Sequence, residues 1–345
     1  MSAKALNRYG LRSGVARSLV FNAMTALAAA WSAPAAQANI TYIVDPLNAT
    51  FTQALGVNDS NTIVGYGNMN IFNGFQLTLL PTPANFVRQN VPGADGGTQV
   101  IGISGGGTTV GFSITGGVTN GFVQNGGTFT TVDQPGTVFN QLLGINPSGT
   151  LAAGYSSATD PAGMTGQVAY RVSGGPLFTS PVFSPVPLPA NMNSQATGVN
   201  DSGEVVGFYQ YGTDMLGNPL FSAFSDILGH ITPFQFPGSV DTQALGVNDH
   251  GGIVGDYVDL SGVMHGFIDD LGMFSSFDPP GSTATTINGI NDADNFVGFY
   301  VNSAGSTIGF FVNPTPEPAS LMLLAVGLVG MGAFARHRRT RSGSA

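Results

Sequence analysis

The sequence predicts an all-β protein, a six-bladed β-propeller with a signal peptide before it and a transmembrane helix after it. Three observations favour this fold class. A short Gly-Ile/Val-Asn segment recurs six times along the chain. Glycine accounts for 50 of 345 residues without a collagen-like period, which is typical of turn-rich β proteins. The hydrophobic content of 42%, with no cysteine, is enough to stabilise the fold through its core alone.

The first 38 residues are predicted to be a secretory signal peptide. Lys4 and three arginines form a basic start, and an apolar stretch from Leu19 to Trp31 follows. Small residues at Ala36 and Ala38 fit cleavage after Ala38. The apolar stretch is too short and too rich in alanine for an uncleaved membrane anchor. The mature protein is therefore expected to begin at Asn39.

Residues 314–345 form a segment of three parts. Pro316, Glu317 and Pro318 come first. The following residues, 319–335, are uncharged and just long enough to be predicted as a transmembrane helix. Residues 336–341 then form a basic stop, made by Arg336, Arg338, Arg339 and Arg341. Such a cluster keeps its end of the chain in the cytoplasm, so the body of the protein is expected across the membrane.

The order of these parts resembles the PEP-CTERM sorting signal, a tail module that also circulates as the "ice-binding protein C-terminal domain". The resemblance implies that an exosortase-type enzyme recognises Pro316-Glu317-Pro318 and cuts nearby. It also implies a Gram-negative host that makes exopolysaccharide. The protein would be anchored transiently in the inner membrane, and then reach the cell surface or the extracellular matrix. It does not imply that the exported domain binds ice.

The charge balance of the exported part excludes several classes of partner. Between Asn39 and Thr315 there are two basic residues, Arg88 and Arg171, and 18 acidic ones, which gives a net charge of −16. Nucleic-acid binding needs clustered Lys and Arg to displace counterions. Binding to phosphate groups and to anionic lipid surfaces fails for the same reason.

A repeat search predicts six units between residues 39 and 313. The shared segment runs from a glycine through an Asn-Asp-type turn to a Val-Gly pair, and it begins at Gly56, Gly102, Gly144, Gly198, Gly246 and Gly289. A second signature, such as Asn-Gly-Phe or His-Gly-Phe, follows each copy, and an Asp-x-Pro-Gly-type sequence closes most of them. Each unit therefore predicts four short strands, the content of one propeller blade.

The ends of the repeat array favour a closed ring. The mature chain starts with TYIVDP, which resembles a fourth strand, and the last unit lacks its own fourth strand before the tail. The N-terminal strand can therefore complete the final blade and remove the exposed sheet edges. An open solenoid is the competing architecture.

The units resemble the HAF-repeat family of bacterial extracellular proteins. The resemblance rests on the Asn-containing turn, the Val-Gly pair and the His-Ala-Phe-like triplet, of which only His265-Gly266-Phe267 keeps the histidine. It implies a propeller in an extracellular location and brings no established activity. The unit at Gly102 has Ser104 in place of the asparagine, so its blade is the least regular of the six.

Catalytic chemistry finds little support in the sequence. No nucleophile elbow or zinc-like histidine spacing occurs, and the domain contains no lysine. Several aspartates recur at one turn position, namely Asp59, Asp201, Asp249 and Asp292, which indicates a structural role. Calcium is a weaker hypothesis, with Asp256, Asp259, Asp292 and Asp294 as candidate oxygen ligands in two Asp-rich turns.

The sequence therefore predicts a non-enzymatic, exported repeat protein that is structural or binds polysaccharide through its loops. The alternative is a surface hydrolase or lyase that acts on polysaccharide through propeller aspartates. The stretch between Gly154 and Gly198, with its VFSPVPLP run, is the largest deviation from the repeat and the first loop in which to look for a ligand.

Overall fold

A computed structural model describes residues 39–47, 50–68, 71–79, 85–175, 178–189 and 192–314. The predicted signal peptide with Ala36 and Ala38, and the sorting segment from residue 315 onward, lie outside these residues. Residues Asn39–Pro314 form one compact unit. Its described residues contain strands and turns only, and none of them forms a helix suited to crossing a membrane.

Six antiparallel sheets of four strands each make up the described part of the chain. The strands of blades 1 to 3 are β2 (Thr52–Val57), β3 (Thr62–Gly67), β4 (Asn73–Thr78), β5 (Asn85–Arg88), β6 (Gly97–Ile103), β7 (Thr109–Thr115), β8 (Val118–Asn125), β9 (Thr128–Thr131), β10 (Phe139–Ile145), β11 (Leu151–Ser157), β12 (Gln167–Ser173) and β13 (Val182–Pro185). The strands of blades 4 to 6 are β14 (Ser194–Val199), β15 (Val205–Thr213), β16 (Pro219–Ile227), β17 (His230–Phe234), β18 (Asp241–Val247), β19 (Gly252–Val258), β20 (Met264–Asp270), β21 (Met273–Phe277), β22 (Ser282–Ile290), β23 (Phe296–Asn302), β24 (Thr307–Asn313) and, from the N-terminus, β1 (Asn39–Ile43).

The blades close into a ring, which confirms the six-bladed propeller and excludes the open solenoid. Each sheet contacts the next, and blade 6 contacts blade 1 through β2. The N-terminal strand β1 pairs with β24 as the outermost strand of blade 6, in a register that runs from Asn39 opposite Asn313 to Ile43 opposite Gly309. The prediction that the first strand completes the last blade is therefore confirmed.

Two irregular parts of the repeat form ordinary blades. Blade 2 has all four strands although Ser104 replaces the turn asparagine, because the Ser104 hydroxyl accepts the N–H of Thr108 and closes the same turn. The VFSPVPLP run is not a spacer outside the blades, since its first residues form β13, the outer strand of blade 3.

The Val-Gly pair and the aromatic triplet of each repeat meet across two strands. In every blade the second-strand glycine lies opposite a third-strand aromatic residue. The pairs are Gly65–Phe75, Gly111–Phe122, Gly154–Tyr170, Gly207–Phe224, Gly255–Phe267 and Gly298–Phe310. A Cβ on Gly207 would lie 2.0 Å from the Gln195 carbonyl oxygen and 2.9 Å from the Phe224 ring. Glycine is required here because a carbonyl oxygen of the inner strand and the aromatic ring of the third strand together occupy the space of its missing side chain.

The hydrophobic core lies mainly between the blades. One cluster joins Val206 of blade 4 to Val247, Ile253 and Phe267 of blade 5. Another joins Ile43 and Val297 of blade 6 to Phe75 of blade 1, so the closing strand is fixed by apolar packing as well as by its ladder.

The strand β15 contains a pair of glycines that tests this packing. Gly207→Ala should lower the free energy of unfolding by roughly 1–3 kcal/mol, because the added methyl group overpacks a filled site. Gly212→Ala, in the same strand with no atom within 4 Å of the new methyl group, should be neutral or slightly stabilising. Urea unfolding of both variants measures the difference, and equal stabilities would contradict the packing role of Gly207.

Candidate functional site

The inner strands of the six blades surround a central channel, and each carries a β-bulge at the same place. In each inner strand the register shifts just before the repeat glycine, for example between Ala54 and Gly56 and between Ala244 and Gly246. The extra residue of each bulge lines the channel, and these residues are Leu55, Ile101, Leu143, Thr197, Leu245 and Asn288. Bulges commonly re-aim a side chain, and here they give the channel a largely apolar middle layer.

The repeat glycines line a narrow part of the channel. A Cβ on Gly56 would lie 2.6 Å from the carbonyl oxygen of Ile101 and 3.2 Å from the Cα of Gly102 in the next blade. The cavity at this level has a volume of only about 60 Å³. The inner strands converge so closely here that any larger residue would separate neighbouring blades.

One mouth of the channel, the turn mouth, is closed by the Asn-Asp turns of the repeat. Asn248 caps its own turn by accepting N–H bonds from His250 and Gly252. Its Nδ2 also donates to the carbonyl oxygen of Asn291 in the next blade at 3.1 Å. The carboxylate of Asp292 accepts the N–H of Asp249 at 2.8 Å.

The same links recur around the ring and explain the repeated aspartates. Asp249 accepts the N–H of Asp201, and Asp59 accepts the N–H of Asp292 across the closure of the ring. A side chain with the same bonding role in successive blades holds the blades together. The structure therefore places Asp59, Asp201, Asp249 and Asp292 in a belt of hydrogen bonds between blades, away from the wide end of the channel.

The opposite mouth opens into a wide funnel, which is the candidate functional site. It is formed by two adjoining cavities of about 530 and 930 Å³ that share several lining residues. Its wall carries a ring of five half-buried glutamines, one from each of the inner strands of blades 1 to 5, and they are Gln53, Gln99, Gln141, Gln195 and Gln243. Blade 6 supplies Thr286 at the equivalent position.

Each ring glutamine is paired across its blade with a second-strand residue. The partner is aromatic in blades 1 to 4, and the pairs are Gln53–Tyr66, Gln99–Phe112, Gln141–Tyr155 and Gln195–Phe208. Phe112, Tyr155 and Phe208 line the funnel. The repeated segment does not predict this ring, because that segment begins at the glycine and each glutamine lies three residues before it.

Two neighbouring blades break the pattern. In blade 5 the position of the aromatic residue is taken by Asp256, opposite Gln243. In blade 6 the aromatic Phe299 is kept, and the glutamine is replaced by Thr286. Among the described residues, the funnel wall therefore carries one carboxyl group, that of Asp256, among amides and aromatic rings.

Asp256 lies in a dry environment. Its residue is 5% exposed, and its Oδ1 atom is buried without a hydrogen-bond partner. Burial raises the pKa of Asp256 to about 8, with a further rise from the carboxylate of Asp241 and a small lowering by the Thr286 hydroxyl. The carboxyl group is therefore protonated at neutral pH in the unliganded protein.

One loop of the irregular stretch between Gly154 and Gly198 reaches the rim of the funnel. It is the segment 158–166 between β11 and β12, and Gly163 and Met164 line the larger cavity. Asp160 orders this loop by accepting the N–H groups of Ala162, Met164 and Thr165. These hydrogen bonds hold the pKa of Asp160 below its usual range.

The four candidate calcium ligands are not brought together. Asp256 lies in the funnel wall, whereas Asp259 caps an exposed turn by accepting the N–H groups of Ser261 and Val263. Asp292 belongs to the belt, and Asp294 accepts a hydrogen bond from Asn248 in the same belt. In the described ranges, no group of three or more His, Cys, Asp or Glu side chains has a geometry that could hold a metal ion.

Both arginines of the exported domain are engaged in ion pairs. Arg88 pairs with Asp45, which joins blade 1 to the segment after β1. Arg171 lies 3.8 Å from the buried carboxylate of Asp226, which joins blade 3 to blade 4. The two arginines of residues 39–314 are therefore used in ion pairs within the fold.

His265 is held between two carboxylates at the edge of blade 5. Its Nδ1 lies 2.7 Å from Asp278 and its Nε2 lies 3.5 Å from Asp259. The equivalent residues of blade 1, Asn73 and Asn90, hydrogen-bond to each other at 3.2 Å. The histidine therefore takes the place of a structural amide in the repeat.

Residues 314–339 match the PEP-CTERM protein-sorting motif, which confirms the sorting signal at the C-terminal end. This motif indicates an exported protein that an exosortase processes. No curated protein sequence is significantly similar to this chain.

Several solved propellers share the overall architecture. AofleA from Arthrobotrys oligospora has a TM-score of 0.51 at 10% identity, over 81% of this chain and 91% of that one. TolB from Acinetobacter baumannii has a TM-score of 0.48 at 10% identity, over 75% of this chain and only 65% of the TolB chain. The β-propeller domain of the Trilobed protease from Pyrococcus furiosus has a TM-score of 0.46 at 8% identity, over 77% of this chain and 95% of that one. At such identities the similarity shows the fold alone.

The geometry around His265 makes part of the stability depend on pH. Burial lowers the pKa of His265, but the hydrogen bonds and charges of Asp278 and Asp259 outweigh it and raise the pKa above its ordinary value. The stabilisation by protonated His265 is fully present below the unfolded-state pKa of about 6.5 and is lost as pH rises through the higher folded-state pKa. The melting temperature of the protein should therefore exceed that of His265→Asn at pH 5, and this difference should shrink at alkaline pH.

Thermal unfolding of both proteins from pH 5 to pH 9 measures this effect. The asparagine keeps a hydrogen-bonding amide, as in blade 1, so it is a matched uncharged control. A difference in melting temperature that does not vary with pH would contradict the ion-pairing role.

Proposed function

We propose that the protein is a non-enzymatic polysaccharide-binding protein of the cell surface or extracellular matrix, and that the funnel is its binding site. The observation that carries the proposal is the ring of glutamines, each with a neighbouring side chain from the second strand of its blade. A wide, concave site with a few convergent polar groups is the usual form of a ligand pocket. The proposed site differs from the loops expected from the sequence. Of the stretch between Gly154 and Gly198, the loop 158–166 and Asn193 contribute to it from outside the strands.

The chemistry of the wall fits an uncharged, hydroxyl-rich chain. An amide side chain offers both donors and an acceptor, so a glutamine can bind two hydroxyl groups of one sugar. Aromatic rings such as Phe221 and Phe299, which line the funnel and are only partly buried, offer apolar surface to the C–H faces of sugar rings. The quasi-sixfold arrangement repeats these groups around the wall, which would suit a chain of similar sugar units better than a single compact ligand.

The sorting segment supports the proposed destination. In this proposal the signal peptide is removed after Ala38, and residues 319–335 hold the exported chain in the inner membrane until an exosortase cuts near Pro316-Glu317-Pro318. The released or transferred propeller then meets exopolysaccharide outside the cell. The resemblance to HAF repeats, which agrees with an extracellular location, stays a prediction.

A hydrolase or lyase is the second candidate, and one observation favours it. A carboxyl group with a raised pKa, such as Asp256, is suited to act as a general acid. Glycoside hydrolysis usually needs a second carboxylate on the other side of the scissile bond, about 5–10 Å away. The neighbouring Asp241 is buried and binds the N–H of Phe221, so it would have to move to face a substrate. Release of reducing or unsaturated ends from exopolysaccharide, lost in Asp256→Asn, would support this alternative.

The ring of glutamines gives a direct test of polysaccharide binding. Removal of Gln141 and Gln195 together should weaken the affinity for exopolysaccharide roughly tenfold or more, because each amide contributes about 1 kcal/mol of hydrogen bonding. Calorimetry with size-fractionated exopolysaccharide and the purified double variant Gln141→Ala/Gln195→Ala measures the loss.

Gln235→Ala is the matched control, because Gln235 is exposed beyond the end of β17 and does not line the funnel. Its affinity should equal that of the unaltered protein. Equal binding by all three proteins, or no binding by any of them, would overturn the proposed site.

A further inference from the structure

We infer that blades 5 and 6 form a subsite for a protonated amino group on the bound sugar chain, made by Asp256, Thr286 and Asn288. The inference rests on the proposed function, and it names the class of sugar that the funnel selects. A subsite for one amino group occurs once in the ring. It is therefore expected where a blade departs from the repeat pattern, and not at the repeated positions.

Two of these positions, Asp256 and Asn288, are more polar than their equivalents in the other blades, and Thr286 is shorter than the glutamine it replaces. Asp256 replaces an aromatic residue, and Asn288 takes the bulge position that is Leu, Ile or Thr elsewhere. Thr197, the polar bulge residue of blade 4, is satisfied because its hydroxyl donates to the carbonyl oxygen of Ala244 at 2.7 Å. The polar residues Asp256 and Asn288 therefore differ from Thr197, because the polar group of Thr197 is used within the fold.

Two acceptor oxygens in this corner have no donor. The Oδ1 atoms of Asp256 and Asn288 are both buried without a hydrogen-bond partner, and both residues line the same 530 Å³ cavity. Buried acceptors are almost always paired in folded proteins, so an unpaired set in a binding cavity points to a ligand that brings donors. An ammonium group brings three donors on one atom, whereas a hydroxyl group brings one.

Charge favours the ammonium group over other donors. Asp256 is the ionisable side chain in a funnel wall that is otherwise mainly amide and apolar among the described residues, and an ammonium group beside it would stabilise its carboxylate form. An anionic sugar cannot form this ion pair, and a neutral sugar can form only ordinary hydrogen bonds with the carboxyl group. A carboxylate and an ammonium group in a dry site form a strong, charge-assisted hydrogen bond.

Proton balance follows from the state of the free protein. Asp256 holds a proton at pH 6, since burial raises its pKa to about 8. When an ammonium group binds, the ion pair stabilises the carboxylate, so Asp256 gives its proton to solvent and the amine keeps its own. Binding of an amino sugar should therefore release up to one proton per site, and binding of a neutral sugar should release none.

Met264 borders this part of the funnel. Its sulfur atom accepts a hydrogen bond from the Thr286 hydroxyl at 3.6 Å, and it lines the same cavity as Asp256. Neither unpaired oxygen is exposed to solvent, so a side chain of the wall has to move as the ligand enters, and Met264 is suited to this movement. Methionine is unbranched and makes this change at low cost.

Calorimetry with three oligosaccharides of equal length tests the subsite: oligomers of glucosamine, of N-acetylglucosamine and of glucose. At pH 6 the protein should bind the glucosamine oligomer at least tenfold more tightly than the other two. Titrations in buffers of different ionisation enthalpy should show the proton release. Asp256→Asn should abolish both the preference and the proton release, while affinity for the neutral oligomers remains.

Two control variants separate the subsite from the acidic surface of the domain. Asp270→Asn makes the same Asp-to-Asn exchange at an exposed position and should leave the preference unchanged. Asp256→Phe restores the residue type of the other blades and should lose the preference without loss of folding. Oligolysine of matching charge measures general attraction, and it should bind Asp256→Asn and Asp270→Asn alike.

The outcomes distinguish the two proposals. Equal affinity for all three oligomers overturns the amino-sugar subsite and leaves polysaccharide binding intact. A preference for glucosamine that persists in Asp256→Asn also overturns the subsite and assigns the preference to the acidic surface. Absence of binding to any polysaccharide, with the glutamine ring intact, overturns the proposed function itself.

Discussion

The close approach of six inner strands around one axis is the constraint on which the rest of the structure depends. Glycines such as Gly56 and Gly102 meet across neighbouring blades with no room for a side chain between them. Just before each glycine, a β-bulge accommodates one extra residue in the inner strand. Beyond the bulge the strands diverge again, and the widening space becomes the funnel. The site is thus a consequence of how tightly the opposite half of the channel is closed.

The polar side chains at the two ends of the channel have different roles. Those at the turn mouth stabilise the ring, and those in the funnel belong to the proposed binding site. At the turn mouth, Asn and Asp side chains are saturated by hydrogen bonds to the next blade, as at Asn248 and Asp292. At the funnel, the glutamine side chains remain half-buried and the Asp256 and Asn288 oxygens lack partners. A saturated polar network stabilises the ring, whereas an unsaturated one keeps its hydrogen-bonding capacity for a ligand. The strong negative charge of the domain lies on the repeated turns and strand ends, and the funnel wall is nearly neutral.

The repeat pattern was sufficient to predict the blades, their number and the closure by the first strand. Local spacing determines these features, because a Gly-Asn turn and an opposing Gly–Phe pair act within one hairpin. Each ring glutamine lies before the segment that repeats most clearly in the units. The residues around it vary, as in TQALG and NQLLG, so the repeat alone does not single it out. The isolation of Asp256 in a dry wall depends on all six blades at once, and no local pattern carries that information. The Pro-rich run was misjudged because proline is tolerated in the outer strand β13, whose outer edge has no partner in its sheet.

The pairing of β1 with β24 has a mechanical consequence. Asn39 lies opposite Asn313, so the polypeptide enters and leaves the ring at the same edge of blade 6. A pull on the chain beyond Asn313 is transmitted to β24, which lies between β1 and β23. Along such a strand the hydrogen bonds to both neighbours are loaded in shear and share the force, instead of opening one after another. A propeller held by its C-terminal end against flowing liquid or a moving matrix would therefore resist being unravelled from the point of attachment.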